Sequence, residues 1–325
     1  MAKVPGYPRL LGDIGGTHAR WAWQPNPGTP PQDISVLRCQ AHASLLDSAR
    51  HYLSSTGHHD PESAGIGVAT AVTGDSVRMT NNPWYFSIEQ LKHSLGVKRC
   101  LVINDFTALA MSLPALESCD RYAVGGGAAI QGAPIALIGP GTGLGVSGLL
   151  MSGAGHYCAL SGEGGHATLA AADEHESALL TLLRRRHHHV SAERIVSGPG
   201  LVELYCGVCE LEGRAALDLQ PADVSAAAQA GTNQDCVASI NCFSSFLGNV
   251  AGNLALTLGA HGGLYVGGGV VPALGAAFNA ILFRQRFEDK GRFRDYLAAI
   301  PTWIITAPTP ALLGVSRALD LMQAD

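Results

Sequence analysis

Apolar runs that end in glycine or short polar turns recur along the chain, and their period sets the elements they predict. Arg9-Leu-Leu-Gly-Asp-Ile-Gly-Gly-Thr-His-Ala-Arg-Trp-Ala-Trp reads as strand, tight turn, strand, with Gly15-Gly16 at the turn and alternation from Arg20 to Trp23. Residues 32 to 56 predict a connecting strand and a helix from Ala43 to Leu53. Ala64-Gly-Ile-Gly-Val-Ala-Thr-Ala-Val is a buried strand, Asp75 to Thr80 a hairpin arm and Asn81-Asn82-Pro83-Trp84 a loop. Ser87-Ile-Glu-Gln-Leu-Lys-His-Ser-Leu has helical spacing, with Ser87 as cap and Gln90 at the capping-box position. Arg99-Cys-Leu-Val-Ile-Asn-Asp-Phe-Thr-Ala-Leu-Ala-Met then runs from a β-rich stretch into a helix-compatible one. This puts Asn104 and Asp105 at the carboxyl end of a buried strand, where open α/β sheets carry their chemistry. By itself the stretch supports equally a plain helix cap at Asp105.

The second half repeats the opening. Pro134-Ile-Ala-Leu-Ile-Gly-Pro-Gly-Thr-Gly-Leu-Gly-Val-Ser-Gly-Leu-Leu-Met is again strand, Gly/Thr turn, strand, with Pro140 where the first copy has Asp13. It reads as a weak internal duplication. Leu160-Ser-Gly-Glu-Gly-Gly-His is a glycine-flexed loop offering Glu163 and His166; Glu193 follows near a helix start, then a loop and a second helix from Leu201. Pro221 to Leu258 is helical with a break near Thr232-Asn233. Gly262 to Pro272 is a strand ending in Gly267-Gly268-Gly269, with Pro272 opening a helix. Phe283 to Phe293 is charged and expected at the surface, Thr302-Trp-Ile-Ile-Thr is a strand, and Ala311 to Leu319 a final helix. Tyr122 to Gly162 and Cys236 to Phe283 hold no Asp, Glu, Lys or Arg. Broken by Gly, Asn, Pro and His, neither offers the roughly 20 apolar residues of a bilayer span. They are read as buried strands and glycine turns.

Composition narrows the class. A chain of 325 residues suits two domains. With 47% hydrophobic and 14% charged residues it is a globular chain with much buried sheet. Net charge is −5 and no Lys/Arg stripe with interleaved aromatics occurs, which excludes nucleic acid as a partner. Arg184-Arg185-Arg186 reads as a solvated helix end. The amino terminus lacks an apolar signal core, so a cytoplasmic protein with no membrane partner is expected. Eight cysteines in this length make no disulfide scaffold, and Cys206-x-x-Cys209 inside a helix reads as buried free thiols. His187-His188-His189 is a poor metal site, since neighbours on one helix face different ways.

The candidate chemistry is that of anions and hydroxyls. A Gly-Gly-Thr hairpin turn offers backbone N–H groups and the Thr17 hydroxyl to an anion, and Asp13 at the strand end can hold a hydrated Mg²⁺. Neither turn is a Walker loop, because no Gly-Lys-Ser/Thr follows. A glycine loop with only Glu163 and His166 suits a polyhydroxylated ligand better than zinc. The Gly267–Gly269 turn before a helix can be approached closely by a flat ring or a phosphate.

In this order the pieces resemble the actin-like ATPase and sugar kinase superfamily. More closely, the chain resembles the bacterial glucokinase family of the non-ROK type over essentially its whole length. The resemblance rests on Gly-Asp-Ile-Gly-Gly-Thr-His-Ala-Arg, Ile-Asn-Asp-Phe-Thr-Ala, Gly-Pro-Gly-Thr-Gly-Leu-Gly-Val, Gly-Glu-Gly-Gly-His, Ser-Ala-Glu-Arg-Ile-Val-Ser-Gly-Pro-Gly, Phe-Glu-Asp-Lys-Gly-Arg-Phe and the last Leu-Leu-Gly. It implies an α/β, two-lobed actin-like ATPase (ribonuclease H-like) fold with a cleft between lobes, 1–115 plus 306–325 forming the small lobe and 116–305 the large one. It implies transfer of the γ-phosphoryl group of ATP, with Mg²⁺, to the 6-hydroxyl of glucose, in a homodimer. Asp105 matches the catalytic base, and Asn104, Glu163, His166 and Glu193 match the glucose ligands. Gly12, Asp13, Gly15, Gly16 and Thr17, then Gly141, Thr142 and Gly143, match the two phosphate turns, with Asp13 on the metal; Gly267, Gly268 and Gly269 match the adenosine side. The ROK pattern is absent: His166 is followed by Ala-Thr-Leu, and the next cysteine is Cys206. The alternatives carried are a catalytically silent hexose-binding or regulatory protein of the same fold, and a kinase of another hexose.

Overall fold

The glycine-turned hairpin at the start of the chain forms β1 (Arg9–Ile14) and β2 (His18–Gln24), antiparallel with Asp13 opposite Arg20. The protein, seen here in a computed structural model, is described over residues 4–153 and 155–322. Behind the hairpin come β3 (Gln32–Arg38), β4 (Ser63–Val68), the small arms β5 (Ser76–Arg78) and β6 (Tyr85–Ser87), and β7 (Arg99–Asn104). The sheet order is β3-β2-β1-β4-β7, with β4 parallel to β1 and β7 parallel to β4. The carboxyl ends of β1, β4 and β7 therefore lie side by side, Ile14 beside Val68 and Val68 beside Asn104.

Alternation decides the two faces of this sheet. Leu10, Ile14, Ala64, Ile66 and Val102 pack with Leu45, Ala49 and Tyr52 of helix Leu45–Thr56 and with Leu91 of helix Ile88–Leu95. Leu11 and Ala22 face the other way, onto Ala108 of helix Asp105–Ser112 and Leu312, Val315 and Leu319 of helix Pro310–Leu321. Ser87 caps its helix as expected, accepting from Gln90 N–H at 3.1 Å.

Residues through Leu116 and those from Ala307 onward form one compact unit, and Glu117–Thr306 form a second. The second unit contains β8 (Arg121–Gly125), β9 (Ile135–Pro140), β10 (Leu144–Met151), β11 (Tyr157–Ser161), β12 (Leu264–Val266) and β13 (Thr302–Ile305). Their order is β11-β10-β9-β12-β13-β8. A hairpin, β9 with β10, again leads; β12 and β13 again add in parallel; only the antiparallel edge strand β8 is extra. The weak sequence duplication is thus a repeat of topology. The core of this unit is built on helix Gln234–Leu258, whose Phe243, Phe246, Leu247 and Ala251 are fully buried.

Several expectations are corrected. Phe283 to Phe293 is a surface segment only in part: Gly291–Phe293 are exposed, whereas Phe283 and Phe287, four apart on helix Ala280–Glu288, are fully buried. The charges there are absorbed locally, with the buried Arg284 guanidinium donating to the carbonyls of Leu297, Ala298 and Ile300 at 2.8 to 3.0 Å. The charge-free stretch from Cys236 is mostly helical, beginning with the long helix, and only Leu264–Val266 in it is strand. In the other, β9 is buried throughout, but the edge strands β8 and β11 are partly exposed. Helices begin earlier than expected in two places, at Gly198 with Ser197 as cap and at Val270 with Pro272 third, because glycine and proline are acceptable in a first turn. His187–His189 follow helix Glu174–Arg186 and do not lie on it. Among the described residues no cluster of His, Cys, Asp or Glu is arranged to hold a metal by itself, and no helix is long and apolar enough to cross a membrane.

Candidate active site

In the first unit, β7 delivers Asn104 and Asp105 at the point where strand becomes helix. Asn104 has extended dihedrals and its Oδ1 accepts from Phe106 N–H at 2.9 Å and Thr107 N–H at 3.2 Å. Asn104, and not Asp105, is therefore the helix cap, because its residue is the last one outside the helix. Asp105 is the first helical residue. Its Oδ1 accepts from Phe106 N–H at 2.9 Å and from Asn104 Nδ2 at 3.0 Å, while Asn104 Nδ2 also donates to Thr70 O at 3.3 Å. One carboxylate oxygen is fixed, and Oδ2 makes no hydrogen bond among the described residues. Burial pushes Asp105 up to about 7, the Asp13 charge adds to this, and the amide donors oppose it.

Asp13, at the end of β1, has a side chain 16% exposed and pairs with Arg20 Nη1 through Oδ2 at 3.2 Å. Burial raises its carboxyl and Arg20 opposes the rise. The turn after it closes with Gly15 N–H on His18 O at 2.9 Å, and Asn82 Nδ2 donates to Gly15 O at 3.2 Å. A Cβ on Gly16 would lie 2.6 Å from Asn81 Cβ, so the Asn81-Asn82 loop sits directly on this turn. Thr17 is exposed beyond it. Gly12 lies inside β1 under the Trp21 ring, 2.7 Å from an added Cβ, so packing alone accounts for its glycine. Gly67, the partner of Asp13 across β4, leaves room for Asp105 Cα at 3.6 Å.

In the second unit the turn Gly141-Thr142-Gly143 closes with Gly141 N–H on Gly143 O at 2.8 Å, and Gly198 N–H donates to Gly141 O at 2.8 Å. Thr142 is exposed. Ser191 caps the short helix Ala192–Ile195, which presents Glu193 in its first turn. Glu193 Oε2 accepts from Leu144 N–H at 2.9 Å, and Oε1 lies 3.8 Å from His166 Nε2. Glu163 is exposed at the start of the Gly164–His166 turn. Thr142, His166, Glu193 and Ser197 line one cavity of about 610 Å³, which continues past Arg194 to His189. Gly267 N–H donates to Ile138 O at 2.8 Å. Gly268 has φ +77°, and a Cβ there would lie 2.9 Å from Pro140 C, so this remote glycine run is brought against the end of β9 beside Gly141.

The candidates thus form two sets, Asp13, Gly15–Thr17, Asn104 and Asp105 in the first unit, and Thr142, His166, Glu193 and Gly267–Gly269 in the second. Arg20 and Asn82 were missed from the sequence. Arg20 was legible, since the hairpin's own register sets it opposite Asp13. Nothing in the sequence signalled Asn82, a loop residue 67 positions from the carbonyl it holds.

Comparison with known proteins identifies the family and the fold. The glucokinase family model matches residues 10–322. The chain is 53% identical over 315 residues to a glucokinase of Aromatoleum aromaticum, covering 97% of this chain and 95% of that one. It is 48% identical to a glucokinase of Chromobacterium violaceum, covering 96% and 89%. The crystal structure of a glucokinase from an Antarctic psychrotroph superposes with a TM-score of 0.88 at 35% identity, over 97% of this chain and 99% of that one. The repeated, helix-flanked sheets are the α/β fold of the actin-like ATPases. The chain belongs to the glucokinase family of ATP-dependent glucose phosphotransferases.

Proposed function

We propose that Asp105 is the general base of this reaction, taking the proton of the glucose 6-hydroxyl through Oδ2. The observation that carries the reading is the division of labour on its carboxylate: Oδ1 is fixed by Phe106 N–H and the Asn104 amide, and Oδ2 is left open. The 6-oxygen forms its bond to the γ-phosphorus as the bond from that phosphorus to the bridging oxygen breaks, ADP leaves, and the proton passes to Asp105. The transition state is loose, so positioning and charge neutralisation carry most of the catalysis. A base held near neutrality by burial can accept a proton and release it again in each turnover.

Asn104, Glu163, His166 and Glu193 hold the sugar hydroxyls on this reading. Carboxylate and amide groups suit the task because each pairs with one or two hydroxyls, and an inverted hydroxyl leaves a polar group unpaired. The turns Gly15–Thr17 and Gly141–Gly143, closed by the Gly15 and Gly141 N–H groups, hold the phosphates through the N–H groups of Gly16, Thr17, Thr142 and Gly143, and the run Gly267–Gly269, open at Gly269, receives the adenosine. Mg²⁺ fits Asp13: a half-buried carboxylate oxygen is a hard donor, and a single protein ligand suits an ion that keeps waters and phosphate oxygens as its other ligands. Bound there it would neutralise phosphate charge. Asp13 also holds Arg20 in place beside the turn.

The lobes proposed are 1–115 with 306–325, and 116–305. A homodimer follows from the family resemblance and is checked by sedimentation velocity. A cytoplasmic location suits eight cysteines that are all free thiols. The reading is tested by a coupled assay for glucose 6-phosphate with glucose and ATP, run beside 6-deoxyglucose. Turnover with glucose, and competitive inhibition without turnover by the deoxy sugar, are expected; absence of glucose 6-phosphate overturns it.

A further inference from the structure

Glu193 is braced against something other than the sugar. Its Oε2 accepts the N–H of Leu144, the residue that follows the Gly141-Thr142-Gly143 turn, at 2.9 Å. The carboxylate leans on the turn so closely that a Cβ added to Gly143 would lie 2.9 Å from Glu193 Cδ. The turn is held from outside at two points, by Leu144 N–H on Glu193 and by Gly198 N–H on Gly141 O at 2.8 Å. Both holds come from one short segment, Glu193 to Gly198, fixed by the Ser191 and Ser197 caps. The other oxygen, Oε1, faces His166 at 3.8 Å. One carboxylate thus has one oxygen on the phosphate turn and the other toward the cavity that His166 lines.

We propose that Glu193 is a positioning residue for the second phosphate turn as well as a sugar ligand, so that sugar occupancy and the shape of that turn are coupled through a single carboxylate. The proposal rests on the reading of Glu193 as a glucose ligand and of the turn as a phosphate cradle. A hydroxyl bound to Oε1 restrains the carboxylate, which in turn restrains Leu144 N–H and the two turn amides before it. Coupling of this kind is a differential interaction between two ligands and must be reciprocal.

The test measures binding of the non-hydrolysable ATP analogue AMP-PNP with Mg²⁺, and separately of glucose, by calorimetry on the intact protein. Glu193→Ala is expected to weaken AMP-PNP binding without glucose by roughly tenfold, the effect of losing a hydrogen bond to a charged acceptor. Glu193→Gln retains an amide oxygen for Leu144 N–H and is expected to restore the nucleotide affinity while glucose binding stays impaired. A purely structural role would lower both together in both variants. A third variant is Gly143→Ala, which touches no sugar: its added methyl displaces the Glu193 carboxylate, and glucose affinity without nucleotide should fall. Unchanged AMP-PNP affinity in Glu193→Ala, or unchanged glucose affinity in a folded Gly143→Ala, overturns the coupling. Unchanged glucose affinity in Glu193→Ala instead overturns the sugar-ligand reading, a result distinct from failure of the brace.

Discussion

On the reading proposed, Asp105 answers two demands with its two oxygens, orientation through Oδ1 and proton transfer through Oδ2. Of cap and base, the two roles its position in the sequence offers, the cap falls to the residue before it, since Asn104 takes the capping bonds. Burial and the neighbouring Asp13 push the Asp105 carboxyl up to about 7. A base works only when ionised, so kcat/KM for glucose should fall tenfold per pH unit below about 7 and level off above it. A pH profile without an acid limb near neutrality would count against the assignment. The sign for stability runs the other way. A carboxyl whose folded value is raised favours the fold while protonated, and that contribution is lost as pH rises toward about 7. Asp105→Asn should therefore melt no lower than the parent at pH 8, as measured by thermal unfolding.

Two helices position that strand end. Gly314 in helix Pro310–Leu321 lets helix Asp105–Ser112 approach until an added Cβ would lie 2.7 Å from the Ala108 carbonyl carbon. Gly314→Ala should destabilise the protein by about 1–3 kcal/mol in urea titration, the usual effect of overpacking. Because the displaced helix begins at Asp105, kcat should fall as well; a variant with parental stability would show that the contact is slack. Elements of this kind were legible where one signal dominated. The hairpin of β1 and β2, the capped helix after Ser87 and the interrupted helix before Leu258 all follow from alternation, caps and breakers. Phe283 to Phe293 misled because its charges suggested solvent, whereas the spacing of Phe283 and Phe287 was the signal that mattered. Gly198-Pro199-Gly200 looked like a helix breaker, yet Ser197 caps a helix there, and Gly200 must be glycine to pass Ile195.

Across the chain, the repeat of strand order is the organising fact, since each hairpin-led sheet supplies one glycine turn from its first connection. Only the first turn carries an acid, Asp13, with Pro140 standing in its place in the second, so on the reading proposed both copies hold phosphate and only the first also holds the metal. That repeat was faint in the sequence because the copies share turn chemistry and little else. The site residues were nameable through ordered motifs spread from Asp13 to Gly269, while their mutual geometry, such as Gly268 against Pro140 or Glu193 against Leu144, depends on register that periodicity does not encode. The central claim is that Asp105 removes the hydroxyl proton. Steady-state kinetics of Asp105→Asn with glucose and ATP tests it most directly. A loss in kcat of about 10²–10⁴-fold with little change in the glucose KM is the predicted result; a kcat within tenfold of the parent would contradict it.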